Sequence, residues 1–225
     1  MTETLGIILG VIVAYLIGSI PFGYLMGRLG GIDIRRWGSR NVGATNVARV
    51  LGIRRGAVVL VLDVLKGAAA AGLVGRGFAG PFDIAEGHRA LLLVLCGAAA
   101  ILGHTFPCWL RFKGGKGVAT ALGVWLVLSP VATLIALAVW GLLVAIWRYV
   151  SLGSIVAAAV LPGALFSLHY SHLRAVLPQL VFAGLLAALV IVRHRSNIVR
   201  LARGTENKIG RISVKATRAP KPTDS

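Results

Sequence analysis

Three polar stretches lie between long apolar segments of this sequence, and each combines glycine with asparagine, histidine or basic side chains. They are residues 38–49 (the first stretch), residues 103–117 (the second stretch) and residues 194–207 (the third stretch). Glycine allows backbone N–H groups to turn toward one point, and arginine and lysine supply the positive charge that holds a phosphate. These residue types therefore favour the binding of phosphorylated ligands.

The second stretch contains Lys113-Gly-Gly-Lys-Gly117, followed directly by an apolar run that begins at Val118. A helix beginning there would add the positive end of its dipole to the two lysines, which suits a phosphate. The alternative is a plain glycine-rich turn whose lysines extend into water. Leu110 stands where a Walker A loop needs glycine, so a nucleotide site of that type is excluded.

The first stretch is more specific, because it mixes charged and neutral hydrogen-bonding groups within a dozen positions. Glycines 38 and 43 free the backbone, and Arg40 and Arg49 supply charge. Neutral groups come from four residues: Ser39, Asn41, Thr45 and Asn46. This mixture favours a ligand with both phosphate and hydroxyl groups over an ordinary solvated loop.

Two histidines and one internal ion pair can each be interpreted as functional or as structural. His194 and Asn197 share one helical face, although His194 could instead cap the end of its helix. His104 precedes Pro107 and could bind a ligand or satisfy loop carbonyls. Asp63 and Lys66 share a face of an apolar helix, and pairing with each other accounts for both.

Some chemistries are missing from the sequence. Trp109 stands where the His–Asp unit of soluble-type glycerolipid acyltransferases would place its aspartate after His104. The paired aspartates of CDP-alcohol phosphotransferases, the Gly-x-Ser-x-Gly elbow and the His-Glu-x-x-His zinc motif are also missing. Cys96 and Cys108 form no Cys-x-x-Cys pair, so we expect neither a metal nor a redox site. No carboxylate–histidine pair is evident as a general base.

Composition identifies the elements that must carry these stretches. The chain is 57% hydrophobic with a mean hydropathy of +0.84, more than a soluble domain of 225 residues can bury. The net charge is +17, but the basic residues lie mainly in loops and the C-terminal tail. We therefore expect membrane lipid, and not nucleic acid, as a partner.

The apolar segments predict an all-α, polytopic membrane protein with about seven transmembrane helices, one or two of them short half-helices. Full-length candidates are 5–27, 56–76, 90–110, 131–147 and 177–193. Residues 152–168 are slightly short, and residues 118–128 are clearly too short to cross. Five spans is the competing prediction. The first segment reads as a retained helix and not as a signal peptide.

The distribution of lysine and arginine predicts the orientation. The first four residues carry no basic side chain, whereas the 28–55 loop and the tail from Arg193 are strongly basic. The rule that basic loops stay inside predicts an external N-terminus, a cytoplasmic C-terminus and all three stretches on the cytoplasmic face. We expect residues 1–210 to form a single catalytic domain and residues 211–225 to form a disordered basic tail.

Taken together, these segments resemble the bacterial acyl-phosphate:glycerol-3-phosphate acyltransferase family over nearly the whole chain to about residue 210. The matching segments are Gly18–Pro21, Gly38–Arg49, Leu62–Gly67, Gly103–His104, Phe112–Thr120 and His194–Asn197. The resemblance implies a multi-pass enzyme of the bacterial inner membrane with a cytoplasmic active site. It would transfer a fatty acyl group from acyl phosphate to the sn-1 hydroxyl of glycerol 3-phosphate, without acyl-CoA or acyl carrier protein as direct donor.

The resemblance also implies the site residues and partners. The catalytic set would be Ser39, Arg49, Lys116, His194 and Asn197. The substrate-binding set would be Asn41, Gly43, Thr45, Asn46, His104, Lys113, Gly114, Gly115, Gly117 and Glu206. No cofactor is implied. Glycerol 3-phosphate, acyl phosphate and membrane lipid are the expected partners, and the enzyme that produces acyl phosphate is a candidate partner.

These residues suggest a mechanism based on position and charge. Acyl phosphate is already an activated mixed anhydride, so the protein mainly holds two anions together and offsets their repulsion. Either a substrate phosphate or His194 would take the hydroxyl proton. The alternative function is a transporter or channel for organic phosphate, which would need polar residues on both membrane faces. The polarity here is one-sided, which favours the enzyme.

Overall fold

The computed structural model describes residues 1–210, which are entirely helical apart from turns and loops. The helices are α1 Thr2–Ser19, α2 Phe22–Leu29, α3 Ala44–Leu51, α4 Ile53–Ala68, α5 Gly75–Gly77, α6 Glu86–Thr105, α7 Val118–Leu128, α8 Pro130–Trp147, α9 Val150–Leu168, α10 Leu177–Arg193 and α11 Arg195–Ala202. A π-helical turn, Ala69–Val74, joins α4 to α5. The predicted tail, residues 211–225, lies outside the described residues.

Five helical segments of this part of the chain are long and apolar enough to cross a membrane. They are Thr2–Leu29, Ile53–Gly77, Glu86–Leu110, Pro130–Trp147 and Val150–Leu168. Helices α10 and α11 form a sixth if the pair, bent by 61°, counts as one span. The prediction that residues 152–168 are slightly short is wrong, because α9 extends over 19 residues. The prediction of a short helix at α7 is confirmed at 11 residues.

The first span is broken near its C-terminal end, where the sequence predicted one continuous helix. Pro21 has no N–H to donate to the preceding turn, so α1 ends at Ser19 and α2 starts at Phe22. The carbonyl of Ile20, next to the break, accepts a hydrogen bond from Lys66 Nζ at 2.7 Å. A side chain of α4 therefore supplies a donor to a backbone carbonyl at the break.

Helix α1 packs against α6 through glycines that let the two backbones approach closely. A Cβ atom on Gly18 would lie 2.2 Å from the carbonyl oxygen of Ala100, and one on Gly103 would lie 2.3 Å from that of Tyr15. Further along the bundle, Trp125 of α7 stacks on Phe182 of α10 with ring centroids 5.3 Å apart. These contacts hold α1 to α6 and α7 to α10. The second and third stretches lie at the ends of α6, α7 and α10.

The predicted ion pair inside α4 is confirmed. Lys66 Nζ lies 2.8 Å from Asp63 Oδ1, and the two side chains are only 3% and 2% exposed. Both charges are therefore compensated within the protein, as a membrane segment requires.

Candidate active site

The second and third stretches meet through a direct side-chain contact. Lys116, at the end of the glycine loop (residues 113–117), donates from Nζ to Asn197 Oδ1 on α11. The Asn197 amide in turn donates from Nδ2 to Glu206 Oε1 at 2.7 Å. The bend between α10 and α11 presents Asn197 to this loop. The predicted convergence of these two stretches is confirmed.

Glu206 lies in a C-terminal strap, residues 203–210, that follows α11. Its carboxylate accepts hydrogen bonds from Ser151 Oγ at 3.2 Å and from Arg200 Nε at 2.7 Å, besides the bond from Asn197. A carboxylate engaged in this way repels a phosphate and holds the neighbouring donors in place. In this structure Glu206 clamps these three protein groups, and its contact with substrate stays a prediction.

The strap is fastened to the connection between α8 and α9. Ile209 donates its N–H to the carbonyl of Arg148 at 2.8 Å, and Arg148 returns a hydrogen bond to the Ile209 carbonyl at 2.9 Å. Lys208 lies over the ring of Tyr149 at 5.4 Å. These contacts place Glu206 beside the end of α11.

Arg49 of the first stretch is influenced by the charges of the same residues. Burial lowers the pKa of its guanidinium, while the nearby carboxylate of Glu206 raises it and Arg200 lowers it. Burial also lowers the pKa of Lys116, to about 8. The carboxylate of Glu206 raises this pKa, and the positive charges of Arg200, Arg193 and Arg49 lower it further. We call these five residues the charge cluster. It contains four cationic side chains and a single carboxylate, so it attracts anions.

The glycine loop does not offer all of its N–H groups to a ligand, as the sequence had suggested. Lys113 donates to the carbonyl of Leu110, Gly114 to that of Thr105 and Gly115 to that of His104, at 3.0–3.2 Å. The loop needs glycine because a Cβ on Gly114 would lie 2.2 Å from the His104 carbonyl oxygen. These glycines allow the loop to lie against the end of α6.

The donors that remain are at the start of α7. The first N–H groups of a helix have no partner within it, and Lys116 and Gly117 immediately precede this helix. Gly117 adopts a φ of 82°, a left-handed conformation that favours glycine. A phosphate would therefore meet the α7 N-terminus and the Lys116 ammonium together. Lys113 is exposed.

Arg193 is a member of this site that sequence reasoning missed. Its guanidinium donates to the carbonyls of Gly114 at 3.3 Å and Gly115 at 2.9 Å, and it lies over the ring of Phe106 at 5.4 Å. The end of α10 therefore holds the glycine loop in addition to α6. In the sequence, the only sign that Arg193 belongs to the site was its position next to His194.

The two asparagines of the first stretch shape their own loop. Asn46 is 1% exposed and its amide donates to the carbonyls of Trp37 and Asn41, at 3.0 and 2.8 Å. Its Oδ1 accepts the N–H of Ser39 at 2.8 Å, and Asn41 Oδ1 accepts that of Gly43 at 2.8 Å. Ser39 and Thr45 are exposed. Ser39 and Thr45 are therefore better placed to reach a ligand than the two asparagines.

The two buried histidines differ in their partners. His194 Nδ1 bonds to the carbonyl of Val190 at 2.8 Å, one turn earlier, which matches the helix-capping interpretation. His104 Nδ1 lies 3.4 Å from Asp63 Oδ1, so a buried carboxylate–histidine pair exists after all. The sequence did not reveal it, because Asp63 and His104 lie on different helices. The described residues contain no group of three or more ligands suited to a metal ion.

Comparisons with known proteins agree on one family. The family model described as "Glycerol-3-phosphate acyltransferase" matches residues 8–204. The glycerol-3-phosphate acyltransferase of Trichlorobacter lovleyi is 51% identical over 196 residues, which cover 87% of this chain and 93% of that protein. The enzyme of the same name from Geobacter sulfurreducens is 49% identical over 199 residues, covering 87% of this chain and 94% of its own.

Two solved structures are also similar to this chain. Both are crystal structures of PlsY (YgiH), described as an integral membrane glycerol 3-phosphate acyltransferase. The glycerol 3-phosphate form has a TM-score of 0.77 and 43% identity, covering 91% of this chain and 96% of that one. The lysophosphatidic acid form has a TM-score of 0.75 and 42% identity, covering 91% and 95%.

Proposed function

This chain belongs to the glycerol-3-phosphate acyltransferase family, and on that basis we propose the donor, the product and the residues of its reaction. It is a multi-pass membrane enzyme that acylates glycerol 3-phosphate. The proposed donor is acyl phosphate, the acceptor is the sn-1 hydroxyl, and the products are lysophosphatidic acid and inorganic phosphate. The lysophosphatidic acid form of the similar structure supports this product.

The charge cluster is the observation that carries this proposal. It combines four cations with one carboxylate that is already bonded by three protein donors. Two phosphorylated substrates that must approach each other repel, and fixed positive charge offsets that repulsion. An activated acyl donor needs little further help beyond position.

The proposed step is direct acyl transfer. The sn-1 hydroxyl oxygen attacks the acyl carbonyl carbon, and the bond between that carbon and the phosphate oxygen breaks. The electron pair leaves with the phosphate, and the hydroxyl proton passes to a substrate phosphate or to His194. No cofactor enters, because the donor is already a mixed anhydride.

Most of the predicted residues have a role in this proposal. Arg49 binds phosphate bidentately, and the Lys116 ammonium acts as a point charge on the phosphate of glycerol 3-phosphate. Ser39, His194 and Asn197 orient that substrate. The loops Gly43–Asn46 and Lys113–Gly117 hold the acyl phosphate, with Thr45 and the α7 N-terminus as their ligand-facing donors. Asn41 and Asn46 act by shaping the first loop.

The direct test is to purify Arg49→Ala and Lys116→Ala and to assay both with acyl phosphate and glycerol 3-phosphate. We expect each to lose about 100-fold or more in kcat/KM, the cost of removing one charged donor from such a site. Near-normal turnover in both variants would overturn the site assignment. Acylation of glycerol 3-phosphate by acyl-CoA but not by acyl phosphate would overturn the assignment of acyl phosphate as the donor.

Two further assays address the remaining alternatives. His194→Ala with most of its turnover retained would exclude His194 as the base and leave the substrate phosphate. In liposomes, lipid product with phosphate release supports the enzyme, whereas solute flux without product supports a transporter.

The cellular setting is part of the proposal. We propose that about seven transmembrane helices, one or two of them short half-helices such as α7, lie in the bacterial inner membrane, with the N-terminus outside and the C-terminus and active site in the cytoplasm. Residues 1–210 would be one catalytic domain, and the basic tail, 211–225, would lie near anionic lipid. The basic cytoplasmic face supports this orientation and also suits a contact with the enzyme that supplies acyl phosphate.

A further inference from the structure

A buried line of polar contacts connects the break in the first span to the glycine loop. It starts at the Ile20 carbonyl, which accepts the hydrogen bond from Lys66 Nζ at 2.7 Å. It continues through the ion pair of Lys66 with Asp63 at 2.8 Å. From Asp63 Oδ1 it reaches His104 Nδ1 at 3.4 Å. Helices α1, α4 and α6 each contribute to it.

These three side chains are nearly inaccessible, with exposures of 3% for Lys66, 2% for Asp63 and 7% for His104. Burying such groups costs free energy even when they are paired, so the pairs are poor devices for stability alone. The proposed acyl transfer uses none of them. Their arrangement therefore calls for a role near the site, not in the reaction.

The imidazole of His104 ends against the glycine loop. A Cβ on Gly115 would lie 2.0 Å from His104 Nε2 and 2.9–3.0 Å from Cδ2 and Cε1, and these ring atoms are its nearest neighbours. The Gly115 N–H also donates to the His104 carbonyl at 3.0 Å. Both the backbone and the ring of His104 thus determine where Gly115 lies, and Lys116 is the next residue.

We propose that His104 is a positioning residue for Lys116, with its ring held by Asp63 and Asp63 held by Lys66. The imidazole fixes the height of Gly115 above α6, so the Lys116 ammonium reaches Asn197 and the phosphate. This inference rests on the proposed function only in taking Lys116 as a ligand of glycerol 3-phosphate. It replaces the predicted contact of His104 with substrate.

The first test uses His104→Asn, because the asparagine amide can still donate to Asp63 and spares the buried carboxylate. It removes the ring edge that meets Gly115. We expect a folded protein whose Kd for glycerol 3-phosphate, measured by calorimetry, rises about 10- to 100-fold, as a displacement of about 1 Å at a binding group can cause. In a Lys116→Ala background the same change should add almost nothing, because both act through one group.

His88→Ala is a matched control on the same helix. His88 lies at the opposite end of α6 and also pairs with a carboxylate, Glu3 Oε1, at 2.7 Å. Its removal should leave the Kd unchanged. Wild-type affinity in His104→Asn, or full additivity with Lys116→Ala, would overturn the positioning role.

A second test uses the steric contact itself. Gly115→Ala should weaken binding, because its methyl group would collide with the ring of His104. The double variant His104→Ala/Gly115→Ala removes the obstacle and should bind more tightly than Gly115→Ala alone. A general loss of stability predicts the reverse, and a double variant that is weaker still would overturn the inference.

A substrate-free measurement separates this inference from the proposed function. Acetic anhydride modifies exposed amines, and mass spectrometry gives the rate at Lys116. His104→Asn should raise that rate several-fold, and an unchanged rate would overturn the inference. If wild-type protein fails to bind glycerol 3-phosphate, the proposed function fails, and the rate at Lys116 decides the positioning role alone.

Discussion

Lys116 is the cation in the site whose charge depends most on its surroundings. Burial lowers the pKa of its amine to about 8, so the ammonium is present below that pH and is lost above it. The phosphate of glycerol 3-phosphate is already fully ionised there, since its second pKa is near 6. We predict that the calorimetric Kd of wild-type protein rises about tenfold per pH unit above 8.

Lys116→Arg gives the matching control, because a guanidinium keeps its charge throughout this range. Its Kd should be higher than that of the wild type at neutral pH but flat up to about pH 10. Arg54→Ala, which removes an exposed cation at the start of α4, should retain the wild-type pH dependence. A flat wild-type profile would contradict the link between Lys116 and binding.

Arg49 tests whether shape matters beyond charge. Arg49→Lys keeps a cation but loses the planar fork that binds two phosphate oxygens at once. We predict a loss of about 10-fold in kcat/KM, less than for Arg49→Ala, because one of two hydrogen bonds remains possible. Equal activity of the lysine variant and the wild type would show that charge alone is needed.

The polar residues of the site could be recognised from sequence, but their division of labour could not. Glycine, asparagine and basic residues in three stretches predicted a phosphate site. The contact of Lys116 with Asn197 and the charges near Arg49 agree with that prediction. Arg193 was missed because its partners, the carbonyls of the glycine loop, lie about 80 positions away in sequence. Sequence patterns report residue types, whereas contacts decide whether Asn46 meets a ligand or its own loop.

For the helices, the length of each apolar segment correctly predicted where a helix occurs but not whether that helix is continuous. Every predicted apolar segment corresponds to a helix, since about 20 apolar residues favour that structure in a bilayer. The break at Pro21 was missed because the hydropathy of residues 5–27 stays high across it. At the break, the carbonyl of Ile20 accepts a hydrogen bond from Lys66, a residue of another helix.

The crossing of α1 and α6 provides a test of packing. Gly18→Ala would place its Cβ 2.2 Å from the backbone oxygen of Ala100, and neither helix can move away locally. We predict a loss of about 1–3 kcal/mol, as overpacking usually costs, seen as a lower Tm in detergent. Gly141→Ala in α8 is the control, since nothing lies within 4 Å of its Cβ.

The control should match or exceed the wild-type Tm, because alanine favours helix over glycine by about 1 kcal/mol. Equal Tm values for the Gly18 variant and the wild type would mean that α1 and α6 are less closely packed than the backbone contacts indicate. Activity should follow Tm, since α6 also carries His104.

For the molecule as a whole, orientation in the membrane is the most direct prediction. A membrane-impermeant maleimide applied to intact spheroplasts should label Arg174→Cys and not Arg55→Cys. Arg55→Cys should react after permeabilisation. Both positions are exposed, Cys96 is buried, and replacing Cys108 by serine limits background. The reverse labelling pattern would contradict the proposed orientation, because it would place the N-terminus in the cytoplasm and the charge cluster outside.

The strap also determines when during synthesis this site can exist. Glu206 follows every candidate span found in residues 1–210, and Asn197 depends on it for a hydrogen bond. A chain emerging from the ribosome therefore inserts its helices first and completes its anion site last. We expect a nascent chain halted before residue 203 to be membrane-embedded yet inert, so that no half-made copy consumes acyl donor.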